Sequence, residues 1–177
     1  MALQKMARDK GFSLIELLLV VAVILVIAAI SIPSLIRARI AANESSAVSS
    51  LRTIMTAESA YNTTYPNVGY AVALSDLAGS PPCIPAPNNA CLIDSVLATG
   101  LKAGYSFNAV GGTPNPLGAN TSFYVGAAPA APNTTGVRRF CGLNDNVIHY
   151  DLNPGLSAAV PTAANCANAP FAGQVIQ

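Results

Sequence analysis

The residues able to do chemistry are few, and Glu16 needs the most explanation. It sits near the start of LIELLLVVAVILVIAAISIP, residues 14–33, a run with no other charge. At the centre of a membrane helix an acidic side chain costs roughly 2.5–3.5 kcal/mol on insertion scales. A carboxylate kept there needs either a cationic partner or a place near the lipid edge. His149 and Asp151 stand two apart, on one face if they lie on a strand, with Ser157 beyond. No Gly-rich phosphate loop, Gly-x-Ser-x-Gly elbow or zinc-hydrolase helix accompanies them, so an exposed strand is expected and no enzyme. Asp145, Asn146 and Asp151 could offer calcium oxygens, but their spacing is not a recognisable loop; no metal and no cofactor are expected. Arg138-Arg139 reads as a solvated strand edge, since nucleic acid requires several phosphate contacts; no nucleic-acid partner is expected. Asn62, Asn120 and Asn133 begin sequon-like triplets.

Four cysteines, Cys83, Cys91, Cys141 and Cys166, follow the apolar run. An even number in an exported, loop-rich region suggests disulfides. Three pairings are open; proximity favours Cys83 with Cys91 and Cys141 with Cys166. A zinc site is disfavoured because there is no Cys-x-x-Cys and one histidine in all. Only 10% of the 177 residues are charged, well below the ~25% of an ordinary soluble domain. The net charge of +1 gives no global field for anionic partners. Basic charge is concentrated ahead of the apolar run, in Lys5, Arg8 and Lys10 against Asp9.

These residues need positioning elements. Residues 17–36 are twenty in a row without charge, about 30 Å of helix and one hydrocarbon thickness. The run exceeds the apolar core of a secretory signal, about 7–15 residues, and no small-residue cut site follows it. Pro33 predicts a kink or local melting near residues 29–33, since it lacks an N–H and crowds the carbonyl of Ala29. Beyond it, Ile36, Ile40, Ala47, Leu51, Ile54, Met55, Tyr61 and Tyr65 recur at helical spacing. Arg37, Asn43, Glu44, Ser46, Ser49, Ser50, Arg52 and Thr53 fill the other face. One helix over residues 13–62 is expected, about 75 Å long, ended by Tyr65-Pro66. No globular domain of this size needs so long a helix, so its first half must find partners outside the domain.

From residue 66 onward, 12 prolines and 12 glycines in 112 residues predict short elements and many turns. Short helices are expected over 73–77 and 92–97, and strands over 104–110, 122–127, 137–141 and 147–152. Residues 143–146 read as a hairpin turn. The tail from Asn153 is expected to be irregular, with Cys166 tethering it to Cys141. The resulting fold class is α+β: a long kinked N-terminal helix packed on a small antiparallel β-sheet head.

The basic leader ending in Gly11, then Phe12-Ser13-Leu14-Ile15-Glu16-Leu17, then a long apolar helix with Pro33, resembles the precursor of a type IV pilin or pseudopilin. The likeness is dense from Lys10 to about Tyr65 and fades beyond Pro66. It implies a cleaved leader over 1–11, with the cut between Gly11 and Phe12 on the cytoplasmic face. The same peptidase/methyltransferase would methylate the new amine of Phe12. It implies a helix over 12–62, with 12–36 as membrane or filament core and 37–62 amphipathic against the head, and a head over 66–177. Glu16 would set axial register by pairing with a neighbouring subunit's amino terminus. Implied partners are membrane lipid, other copies and related pilins in a helical filament, and inner-membrane assembly machinery. The chain would wait as a single-pass inner-membrane precursor and then join an extracellular pilus. The alternatives are a pseudopilin in a periplasmic secretion filament and an uncleaved single-pass protein with a periplasmic binding domain.

Overall fold

The computed structural model describes residues 11–79, 81–152, 159–167, 171 and 174–176. The basic leader charges and Ser157 lie outside them.

The first element is helix α1, Leu14–Thr64. It starts where Ser13 leaves the extended state: the Ser13 carbonyl accepts from the N–H groups of Glu16 and Leu17. Glu16 closes the turn from the other side, its Oε2 accepting the Ser13 N–H at 2.9 Å. This is one half of a capping box. Helical residues continue through Pro33, so the expected local melting at 29–33 does not occur. A proline removes one donor from the ladder, and the flanking bonds of a long apolar helix carry it across. The helix ends at Thr64, two residues before Pro66, with the Tyr65 N–H donating to the Tyr61 carbonyl and that of Val68 to the Tyr65 carbonyl.

The chain divides into two compact units between Arg37 and Ala38. In the first, residues 11–37 are all exposed except Ala28.

The second unit holds the rest of α1 and a six-stranded antiparallel sheet whose spatial order is its sequence order. The strands are β1 Leu101–Lys102, β2 Tyr105–Gly111, β3 Phe123–Pro129, β4 Arg139–Leu143, β5 Ile148–Asp151 and β6 Val175–Ile176. The four expected strands are present, displaced by one or two residues. Short β1 and β6, which no periodicity could reveal, flank them. A 3-10 turn, Leu74–Leu77, and a short helix α2, Ser95–Ala98, stand near the two expected short helices. Asp94 caps α2 through its carboxylate on the Leu97 N–H. Residues 143–146 turn as expected, with Asn146 at φ 61° and its N–H on the Leu143 carbonyl.

One face of the sheet packs on α1. Phe107, Val125, Ala127, Phe140 and Ile148 meet Ala47, Leu51, Ile54, Met55 and Tyr61 in a single buried cluster. Burying each large side chain there contributes roughly 1.5–3 kcal/mol. Gly142 lies on this face because a Cβ would stand 2.7 Å from the Met55 sulfur. The opposite face is covered over β3 and β4 by the C-terminal stretch. Cys141, Cys166 and Phe171 form a second cluster, and Gly126 runs under Val160 and Pro161. The tail is therefore less irregular than expected: it forms helix α3, Ala163–Ala167, and strand β6. A sheet with apolar residues on both faces needs a second cover, which the Ala- and Pro-rich composition of the tail concealed.

Candidate processing and assembly site

Gly11, Phe12 and Ser13 precede α1 and are exposed. A Cβ built on Gly11 would meet nothing within 4 Å. Among the described residues, no contact calls for glycine at that position. Phe12 is 79% exposed, beside the helix start. Glu16 follows one turn later, with its carboxylate turned back to Ser13 as the terminal capping contact. From Leu14 onward α1 is long and apolar enough to cross a membrane. Leu14, Ile15, Leu18, Leu19, Leu25 and Ile30 are each more than 60% exposed. So much apolar helix surface is unstable in water and must be covered by lipid or by other protein.

The other sequence candidates do not assemble into a site. Asp151 is buried and ion-paired with Arg139, its register partner on β4. His149 Nε2 stands 3.9 Å from Asp145, and His149 is partly buried rather than exposed. Among the described residues no three acidic, histidine or cysteine side chains cluster as a metal site would need. Asp145 instead accepts the Val147 N–H and so serves the hairpin turn. Arg138-Arg139 is not a solvated edge. Arg138 pairs with Glu44, and Arg139 pairs with Asp151 and stacks its guanidinium 5.6 Å from the Phe171 ring. Arg138, just before β4, and Arg139, its first residue, each find a different buried carboxylate. Asn120 is buried, with its amide on the Tyr70 carbonyl, and cannot accept a glycan in this fold.

Two disulfides brace the head, Cys83–Cys91 and Cys141–Cys166. The second ties α3 to β4 across a 25-residue separation.

The residues that sequence reasoning missed are two carboxylates on α1. Glu44 was expected on the polar face but is buried. Its Oε1 accepts the N–H groups of Val137 and Arg138 at 3.0 and 3.1 Å, and its Oε2 accepts Arg138 Nε at 2.7 Å. It fixes the loop entering β4 to the helix. Neighbouring Asn43 does the same through the Thr135 carbonyl. Glu58 has no exposed surface and accepts the Ala71 N–H at 2.9 Å. The signal was present in both cases. Glu44 lies one turn before Ala47 and Val48, and Glu58 lies between Ile54 and Tyr61, on the same helical stripe.

A long helix, bare and apolar at its start and backed by an antiparallel sheet along its later turns, defines an α+β, pilin-like arrangement. Residues 6–32 match the family model described as the prokaryotic N-terminal methylation motif, the class III leader of type IV pilins and pseudopilins. No curated protein and no solved structure matches the chain.

Proposed function

We propose that the protein is the structural subunit of a type IV pilus. In this reading residues 1–11 are a leader removed by a membrane peptidase between Gly11 and Phe12, and the freed Phe12 amine is methylated. Residues 12–36 hold the precursor in the inner membrane and then form the filament core. Residues 37–62 pack on a head spanning 66–177. The observation that carries the reading is the junction of a methylation-type motif with a long helix whose apolar surface is exposed. A polymer of copies covers that surface, and a leader cut at its cytoplasmic edge provides a free amine where the helix begins.

Glu16 lies four residues from the new terminus, on the same helix face, and thus near the bilayer edge before assembly. In a filament core an unpaired carboxylate is costly, and a neighbour's Phe12 amine is a suitable partner. Such a pair adds little net stability but penalises wrong axial registers, as buried polar residues do in coiled coils. The weakly charged, doubly disulfide-braced head favours a surface pilus over a periplasmic pseudopilus. Electron microscopy of cells with antibody against the head tests this. Labelled filaments extending from the surface are expected. Filaments confined to the periplasm would replace the reading with a pseudopilin. Label spread over the envelope with no filament would point to an uncleaved membrane protein.

A further inference from the structure

Glu58 sits on α1 within the core, between fully buried Ile54 and Tyr61. Its Oε2 accepts the Ala71 N–H at 2.9 Å. Its Oε1 is also buried and has no hydrogen-bond partner among the described residues. Ala71 belongs to residues 65–78, which lead from the end of α1 into the 3-10 turn. Within this segment Ala71 and Leu77 are fully buried. The segment is also tied to the sheet side of the head. The Tyr70 N–H donates to the Asn120 carbonyl, and Ala73 bridges to Val110 of β2. Glu58 is thus a polar pin between helix and crossing segment, set in apolar surroundings.

We propose that Glu58 is a proton-operated clasp: its neutral carboxyl keeps residues 65–78 docked on α1, and its ionised form loosens them. A carboxylate removed from water and given a single donor is far more costly than a neutral carboxyl in the same place. Among the described residues no cation compensates. The elements packed here carry Tyr61 and Tyr65 from α1, Tyr70 and Asp76 from the crossing segment, and Tyr105 and Tyr124 from β2 and β3. Asp76 acts on Glu58 with the same sign of charge, and its own carboxylate is turned to the Ala73 N–H. Burial, reinforced by Asp76 and opposed by the Ala71 N–H, pushes the Glu58 carboxyl up to about 7 from its ordinary 4.5. A carboxyl raised in the folded state takes up a proton on folding. Its contribution is therefore fully present below pH 4.5, is lost as pH rises to about 7, and changes little above that. The proposal rests on the folded head alone and stands whether or not the chain forms a pilus.

The test uses the full chain in detergent micelles with both disulfides intact. Hydrogen exchange at the Ala71 amide reads the clasp directly, because that N–H is bonded to Glu58 itself. After correction for the intrinsic rate, protection at Ala71 is expected to fall by about ten- to a hundredfold between pH 5 and pH 8. Glu58→Gln keeps an acceptor for Ala71 but cannot ionise, so its corrected protection should be flat over the same range. Equal pH dependence in wild type and Glu58→Gln, or no excess loss in wild type, would overturn the proposal. If Glu58→Gln fails to fold, the side-chain carboxyl carbon of Glu58 is titrated by NMR in the wild type. A midpoint near pH 7 supports the clasp, and one below pH 5 overturns it.

Discussion

Glu16, Glu44 and Glu58 are three carboxylates on one helix, and their surroundings give them different tasks. Glu44 has all its demands met by two backbone N–H groups and Arg138, so it fastens a loop. Glu58 has one donor and an orphaned oxygen, so its protonation state matters. Glu16 accepts the exposed Ser13 N–H, its one hydrogen bond among the described residues, and the proposed cleavage would add the Phe12 amine one turn away. In Glu16→Ala, losing the capping contact should cost the helix no more than about 1 kcal/mol. Membrane insertion should be easier, because a charge has been removed. Assembly should fail, since the incoming Phe12 amine would be buried without a partner at a cost of about 3–5 kcal/mol per subunit. Filament yield, read beside the amount of processed subunit held in the membrane, checks this. Normal filaments from Glu16→Ala would mean the carboxylate only caps the helix and reaches the headgroups.

Among the elements, the C-terminal stretch depends most on one bond. Helix α3 has five residues and cannot persist by its own propensity. It is held by Cys141–Cys166, with Arg139 against Asp151 and Phe171 beneath the same stretch. Replacing Cys141 and Cys166 together by Ser should lower head stability by about 3–4 kcal/mol, the loop-closure value for such a separation. Limited proteolysis should then cut first within residues 159–167, and unchanged stability and cleavage would show that packing alone holds the stretch. This region also marks where sequence reading stopped. α1, the four longer strands and the turn at 143–146 were legible because periodicity, Pro66 and the Tyr, Phe and Val runs signal them locally. β1 and β6, at two residues each, exist only through their neighbours' ladders. Glu44 and Glu58 were misplaced or passed over because polar side chains on a core stripe look solvated until their partners, 13 to 94 residues away, are known; buried Ser50 was misplaced on the same polar face. Pro33 was expected to kink or locally melt one continuous helix; the helix is continuous through it, because a single missing donor does not melt one that is apolar on both sides. The glycine at 11 and the carboxylate at 16 were visible as a pattern. What remained hidden was that, among the described residues, no contact requires that glycine.

For the whole molecule, a sheet-backed head and a bare apolar helix are opposite solutions to the problem of burial. The head covers its apolar residues on both faces of its sheet and seals them with two disulfides. The first turns of α1 leave theirs for an outside partner. A soluble protein would be penalised for that surface, and a filament subunit uses it twice, in lipid and then against copies of itself. In the proposed reading, a leader removed at its junction with the helix, with the helix kept, permits both uses in one chain. The most direct measurement is therefore the intact mass and N-terminal residue of the protein in material sheared from cells. The account predicts a chain beginning at methylated Phe12, with all four cysteines oxidised. A chain beginning at Met1, or one starting beyond Ser31 with the apolar helix removed, would contradict it.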